Sequence, residues 1–440
     1  FKQKTAYEIR LSLVGSEMCI RDRPIIVLTF FVLPYQSPTS TPTMCIPTSS
    51  TSHPSATATT ADVVYLTGSS GFVGQMIVRC CESLGSIVKV YCPVREKQGA
   101  SGKERFQGLF GSSKKTVFVE TTDPLPSDVT LVILNAYDVR FFTPLDTKLK
   151  GSVEPMLRIL EQCRGHPLVR GISVVSTAYV QNPLPFKQPE INRIPFELAD
   201  IMSASKLYHG LVNDVISFDK ILEEHGKELS HHHKWNLYAF SKHVMEHVVH
   251  ETFADLPICI VRPAIVAPSR DGTYGHDCRD GFPMFLKIAQ SPVFRFPRNE
   301  GKLSIVFVDD VARDIIEAAS MLAEPATRFE NGSVFHPICS STSNSAHDPI
   351  GLFKGAAPQV WRFDIRNSTA RKVLRTMEIG VVRMVKGKRM ASLTRNLYSV
   401  FDPIFSNTWD YEGRLLLSGP DIVHCARNFY KHQPIASKSG

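Results

Sequence analysis

The chain has no Cys-x-x-Cys pair and no group of Cys and His at zinc-ligand spacing. That argues against a zinc finger, a zinc ribbon or a dithiol redox centre. The run His231, His232, His233 has no Cys or carboxylate partner at ligand spacing, so no metal site is expected. No stretch reaches the roughly 18 consecutive apolar residues that a membrane-spanning helix needs, and the run Ile25 to Leu33 falls well short. Internal repeats are absent to the eye, which argues against a solenoid or propeller. There is no dense basic stripe either. The 50 Lys and Arg against 42 acids leave a net charge of +8, which suits a small anionic ligand better than a nucleic acid. The ten cysteines are scattered, a usage typical of reduced, buried thiols in a cytosolic type of compartment.

What is present is ordinary globular composition: 440 residues, 43% hydrophobic and 21% charged, with 26 Gly and 29 Pro. The length allows two or three domains, or one large α/β unit with an appendage. Residues 1–43 resemble translated sequencing-adapter text. Met44 is the expected native start, and 44–60 a polar, poorly ordered tail.

The first chemical signal lies just beyond that tail. Val63 to Leu66 reads as a buried strand running into Thr67-Gly68-Ser69-Ser70-Gly71-Phe72-Val73-Gly74. An amphipathic helix over 72–84 follows, with Ile77, Val78, Cys81 and Leu84 at helical spacing. Strand, glycine-rich turn and helix together form the context of a dinucleotide cradle. Gly68 permits the tight turn, Gly71 lets backbone approach a pyrophosphate, and Gly74 lets helix and strand pack closely. The helix N-terminus offers free N–H groups to the anion. Thr67, Ser70, Phe72 and Val73 complete the expected cofactor-binding segment.

A second strand, Ser86 to Cys92, ends in Pro93-Val94-Arg95-Glu96-Lys97. An acid there would bind the ribose 2′-hydroxyl. Arg95, with Lys97 behind it, instead suits a 2′-phosphate, so NADP(H) is the expected dinucleotide. The alternative is an exposed basic loop. Further strands are expected at Thr116 to Val119, Thr130 to Leu134 and Arg170 to Val175, with a helix over 146–163. The alternation predicts a Rossmann-type doubly wound parallel sheet. Asn135 and Ala136 then fall at a strand's carboxyl end, where cofactor crevices form.

The second signal is a proton-delivery pair. Ser176 and Thr177 sit at the tip of the fifth strand, and Tyr238 and Lys242 are four apart on a helical pattern. Four apart on a helix means one face, one turn apart. A phenol titrates near 10, too high for easy proton transfer at neutral pH, and a neighbouring ammonium favours its phenolate.

The cradle, V-S-T-A-Y-V, N-L-Y-A-F-S-K-H-V-M-E, I-V-R-P-A-I-V and V-F-V-D-D-V-A occur in the order of the extended short-chain dehydrogenase/reductase superfamily. Within it the chain resembles the alcohol-forming fatty acyl-CoA reductases over roughly residues 62–325. The tail around Trp409 resembles their C-terminal domain more weakly. The resemblance implies a leader over 1–60, an NADP-binding and substrate domain over 61–325, and a mostly helical C-terminal domain over 326–440. It implies that NADPH reduces a fatty acyl-CoA through an aldehyde to a fatty alcohol. Tyr238 would be the acid, Lys242 its partner on the nicotinamide ribose, and Thr177, or else Ser176, the group that polarises the carbonyl. An aldehyde-forming thioester reductase, another dehydrogenase of this superfamily and a non-catalytic NADP(H) sensor remain alternatives. A cytoplasmic location is implied, with peripheral contact at the endoplasmic reticulum or peroxisome left open and no nucleic-acid partner.

Two departures from that pattern stand out. Tyr137-Asp138 follow Asn135-Ala136 where small residues are usual, and the segment 120–128 lacks the Gly-Asp that would meet adenine, leaving Asp123 as a guess. The 60 residues between Thr177 and Tyr238 read as a substrate lid, with a loop over 183–200 and a helix over 217–227. Ile194, Phe196, Leu198, Ile201, Met202 and Leu207 suit either an acyl channel or ordinary core. The loop 268–283 reads as substrate-side, Asp309-Asp310 as helix-start residues, and Lys386-Gly387-Lys388-Arg389 as a solvated basic face or a contact for CoA phosphates or a membrane.

Overall fold

The computed structural model describes residues 61–141, 143–180, 204–213, 237–275, 302–303, 305–322, 338–339, 346–347 and 368–406. In the first half, strand and helix alternate: β1 Asp62–Thr67, α1 Phe72–Ser83, β2 Ile87–Pro93, α2 Gly102–Phe110, β3 Thr116–Val119 and β4 Leu131–Leu134. Next come α3 Leu145–Lys148, a π-helical turn Leu149–Val153, α4 Glu154–Arg164 and β5 Gly171–Val175. Beyond these lie α5 Ala204–Val212, α6 Leu237–Thr252, β6 Ile258–Val261 and β7 Ile265–Ala267. The last described elements are β8 Lys302–Leu303, β9 Ile305–Phe307, α7 Val308–Met321, β10 Ile338–Cys339, β11 Ala346–His347 and α8 Ser368–Ser406.

Seven strands form one parallel sheet in the order β10-β6-β5-β4-β1-β2-β3. The Rossmann-type expectation is met. β1 pairs with β2 on one side and with β4 on the other, so the winding direction reverses between β1 and β4. A crevice opens at the carboxyl ends of strands at such a reversal.

The strands are apolar on both faces because both faces are covered. Val63 and Tyr65 of β1, Val132 and Leu134 of β4, and Ile258 and Ile260 of β6 join one core with Leu149, Leu160, Phe240 and Val244 from the helices. The alternate residues Val64, Leu66, Leu131, Ile133, Cys259 and Val261 join the other, with Ile77 of α1 and Val311 and Ile315 of α7. The period of two along each strand thus divides one apolar run between two helix layers. Close approach on the second face depends on Gly171. A Cβ built there would lie 1.9 Å from the Ala319 carbonyl oxygen of α7.

Leu207 is 1% exposed and belongs to the first core. The other candidate channel residues, the helix expected over 217–227, His231–His233 and Trp409 lie outside the described residues. The expected helix over 146–163 spans α3 to α4 but carries the π-turn, and α2 was not expected. In α8 the helix breaks at Gly387, whose φ is 85°, and Lys386, Lys388 and Arg389 around it are exposed. Among the described residues no helix is long and apolar enough to cross a membrane.

Candidate active site

The phosphate end is built by backbone. β1 ends at Thr67, and the chain reverses through Gly68, whose φ is 70°. A Cβ on Gly68 would lie 2.8 Å from Cα of Ala136 at the end of β4. Gly74 stands over the same turn, where a Cβ would fall 2.0 Å from the Gly68 carbonyl oxygen. The turn closes through the Gly71 amide on that oxygen at 3.0 Å. Gly71 caps α1 without a side-chain hydrogen bond, and the first turn carries no acid. This helix end therefore keeps its amides and positive dipole end for an anion. The cradle fits a dinucleotide pyrophosphate.

Thr67, Asn135 and Ala136 seal the floor. The Thr67 hydroxyl accepts from the Asn135 and Ala136 amides at 3.0 and 3.1 Å, and Asn135 Nδ2 donates to the Gly68 carbonyl at 3.4 Å. Over the start of α1 lies the loop after β7. Tyr274 stacks on Phe72 at 5.6 Å and donates its hydroxyl to the Phe72 carbonyl at 2.7 Å. The described part of the expected substrate-side loop thus packs on the cradle. Asp309 and Asp310 in the first turn of α7 hold that loop by accepting from Arg270, at 3.0 Å from its amide and 2.6 Å from its guanidinium.

Arg95 is exposed just past β2. Sequence reasoning missed its neighbour, Arg105 of α2. The Arg105 guanidinium donates to the Arg95 carbonyl at 2.5 Å and to Ser70 Oγ at 3.2 Å, so it bridges the end of β2 and the phosphate turn. The capping box that starts α2, Ser101 with Glu104, was the available signal for that helix. Asp123 accepts from the Glu120 amide at 2.9 Å and closes its own loop.

The proton-transfer end is built by side chains from four segments. Thr177, 5% exposed, follows β5 and lies close enough to the phenol of Tyr238 from α6 for its hydroxyl to act on that phenol's acidity. Burial pushes the Tyr238 phenol up and Thr177 pulls it back down. Ser176 is 3% exposed, and among the described residues its hydroxyl has no hydrogen-bond partner; Thr177 rather than Ser176 acts on the phenol. Lys242, one turn beyond Tyr238, donates to the Val175 carbonyl and lies 3.7 Å from the centre of the Tyr137 ring. Burial lowers its ammonium to about 7, against the pull of Glu246 and with added repulsion from Lys148. Glu246 also pairs with Arg262 in a fully buried bridge that ties α6 to the end of β6.

Tyr137, the departure noted in the sequence, is integral to the site. Its hydroxyl donates to Ser241 Oγ at 2.9 Å, and Ser241 donates to the Tyr238 carbonyl at 2.7 Å. Tyr137 and Phe141 each meet the Tyr238 ring edge-on at 6.0 Å. The Tyr238 ring, itself half-buried, thus has an aromatic neighbour on two sides, which lowers the local polarity around it.

Residues 66–123 and 119–315, more than half of the chain, match the model of an NAD-binding family described as male sterility protein. The chain belongs to this male sterility protein family. It is an extended short-chain dehydrogenase/reductase fold that carries a nicotinamide-nucleotide site. Two Drosophila melanogaster proteins, CG8306 and CG8303, whose names assign them provisionally to the fatty acyl-CoA reductases, are similar to it. They are 25% identical over 320 residues and 22% identical over 228 residues. The matches cover 63% and 46% of this chain but only 59% and 40% of those proteins, so the chain spans about half the length of these relatives. The terminal R domain of the myxalamid biosynthetic pathway shares the fold, with a TM-score of 0.57 at 18% identity over 85% of this chain and 91% of that one. So does the PhqB reductase domain of Penicillium fellutanum, with a TM-score of 0.53 at 13% identity over 84% and 92%.

Proposed function

We propose that the protein is an NADPH-dependent reductase of long-chain fatty acyl-CoA thioesters that carries the acyl group through an aldehyde to the alcohol. One observation carries this reading: Lys242, one helical turn from Tyr238, donates to the Val175 carbonyl at the carboxyl end of β5, which gathers the phenol, the ammonium and Thr177 at that strand tip. A nucleotide sensor has no need of a proton donor seated beside a hydroxyl. The acyl-CoA substrate is supported by the names of the two Drosophila relatives.

The roles follow from chemistry. The glycine turn at 68–74 and the open end of α1 would hold the pyrophosphate. Arg95 and Arg105 would flank a 2′-phosphate as two cations, which favours NADPH over NADH. When bound and reduced, the cofactor supplies hydride. Tyr238 gives its proton to the substrate oxygen as negative charge gathers there, and Thr177 donates a hydrogen bond to the same oxygen. Lys242 stabilises the phenolate that Tyr238 becomes and would reach the nicotinamide ribose. Collapse of the resulting hemithioacetal releases CoA and an aldehyde, and a second round at the same donor gives the alcohol. Residues 61–325 would supply this chemistry; the segment 326–440 is not a separate unit, because β10 extends the main sheet beside β6 and β11 pairs with β8, and its helical part is α8.

The test is turnover by purified protein supplied with NADPH and acyl-CoAs of several chain lengths. We expect two NADPH consumed per CoA released, with fatty alcohol as product. One NADPH per CoA, with aldehyde accumulating, would restrict the activity to the first reduction. No NADPH loss at any chain length would reject the substrate.

A further inference from the structure

A second buried ammonium stands beside the proposed proton donor. Lys148 ends α3 and its side chain is 0% exposed. Its Nζ donates to the backbone carbonyls of Asp138 at 2.7 Å and Arg140 at 2.6 Å, and lies 5.8 Å from the centre of the Tyr238 ring. Burying a lysine forfeits its hydration, so an interior ammonium needs a reason.

One reason is mechanical. The two carbonyls belong to the loop that places Tyr137 and Phe141 against Tyr238, and Lys148 clamps it. The π-turn that begins at the next residue adds a second tie, Ser152 Oγ accepting from the Asp138 amide at 2.9 Å. Such turns gather at functional sites. A clamp, however, needs donors and not charge.

Among the described residues the charge is only partly offset. Asp138 forms a long ion pair with it, 3.9 Å from Lys148 Nζ. Its carboxylate is already taken by the Arg140 guanidinium at 2.9 and 2.8 Å and by Thr143 Oγ1 at 2.8 Å. Among the described residues the charged and titratable groups on this side of the phenol are Lys242 from its own helix, with Glu246 behind it already paired to Arg262, Lys148 from α3, and Tyr137 with the Asp138–Arg140 pair from the loop; the Thr177 hydroxyl is a neutral neighbour. With Asp138 and Glu246 each held by an arginine, the two lysines are the positive charges left over among these described groups.

We propose that Lys148 is a positioning residue acting through Tyr238: its charge, and not only its clamp, stabilises the phenolate that forms as the proton leaves. Only the word proton donor rests on the function proposed above; the field at the ring is a property of the fold. Burial lowers the Lys148 ammonium to about 8, with Asp138 opposing and Arg140 adding to the shift, so the charge is lost just above neutral pH.

Two variants separate charge from clamp. Lys148→Gln keeps N–H donors for the carbonyls without the charge, and Lys148→Arg keeps the charge at every working pH. The first readout needs no turnover. In protein labelled with fluorotyrosine, the Tyr238 resonance is the one lost in Tyr238→Phe. Its shift should move through a transition near pH 8 in the wild type, beside one near 7 from Lys242, and lose the transition near pH 8 in both variants. The second readout is kcat against pH. Lys148→Gln should lower kcat roughly 10- to 100-fold at pH 7 and flatten the alkaline fall, and Lys148→Arg should hold kcat and move that fall upward. A Tyr238 transition near pH 8 that survives unchanged in both variants overturns the proposal. So does a Lys148→Gln profile of wild-type shape. Should Lys148→Gln fail to fold, the same two readouts in Lys148→Arg decide. A wild type inactive on every acyl-CoA would reject the proposed substrate, while the fluorine titration would still answer for Lys148.

Discussion

The phosphate end and the proton-transfer end of this crevice are made in opposite ways. At the phosphate end one contiguous stretch, 67–74, does the work with backbone: a positive φ at Gly68, the absence of Cβ at Gly74 and the uncapped amides of α1. At the proton-transfer end, Tyr238 meets Thr177 across 61 residues of sequence and Tyr137 across 101, numbers that follow from the positions themselves. The first site tolerates no added atoms. The second tolerates exchange of atoms but not of charge and hydroxyl. Substitutions at the two ends should therefore fail differently, the first in binding and folding, the second in rate.

The largest effect is expected at Gly74. Gly74→Val places side-chain atoms on the Gly68 carbonyl, so NADPH binding by fluorescence titration should vanish and thermal stability should fall. Gly108→Ala on α2, where a Cβ meets nothing within 4 Å, is the matched control and should leave both unchanged. Binding that survives in Gly74→Val would break the contrast. Next comes Tyr238→Phe. Loss of a general acid lowers rate by roughly 10²–10⁴-fold, so kcat should collapse while the NADPH dissociation constant stays within about twofold. A parallel loss of binding would mean that the phenol supports the fold rather than the chemistry.

Thr177→Ala should fall between that and the cofactor variants. The hydroxyl gives one hydrogen bond to the charge-bearing oxygen, and removing such a donor costs about 10²-fold in kcat. Thr177→Ser keeps the donor and should restore most of the rate. Ser176→Ala, altering a hydroxyl that the described structure leaves unpartnered, should change kcat little. If Ser176→Ala is the damaging variant, the strand-tip register differs from the one described.

The same contrast explains which parts were legible in the sequence. Strands buried on both faces appear as short apolar runs, and Leu131–Leu134 and Gly171–Val175 could be located to within a residue or two. The cradle was legible because its chemistry is local. α2 was overlooked although Ser101 and Glu104 announce it, because its body is not strongly apolar. The π-turn at 149–153 has no signature in hydrophobic periodicity, since one extra residue per turn only blurs the pattern. Lys148 and Arg105 look like any other helical cations. Only three-dimensional packing tells that one is fully buried beside an aromatic ring and the other laid across the phosphate turn. Tyr137 was visible as a departure but not as a partner, because its contacts with Ser241 and Lys242 are long-range.

Arg105 gives the smallest expected effect and the finest test of the phosphate end. Its guanidinium touches the Arg95 carbonyl and Ser70 Oγ, so it can aid any dinucleotide by bracing the turn, or NADPH alone by meeting the 2′-phosphate. The two roles separate by cofactor. If charge matters, Arg105→Ala should weaken NADPH roughly tenfold, as loss of one charge-assisted contact does, and leave NADH binding nearly unchanged. If bracing matters, both cofactors weaken equally. Arg95→Ala should show the same selectivity by itself. Because both cations would serve one phosphate, the double variant should lose less than the product of the two single effects. Additive losses would place the two arginines on different groups and remove the basis for preferring NADPH.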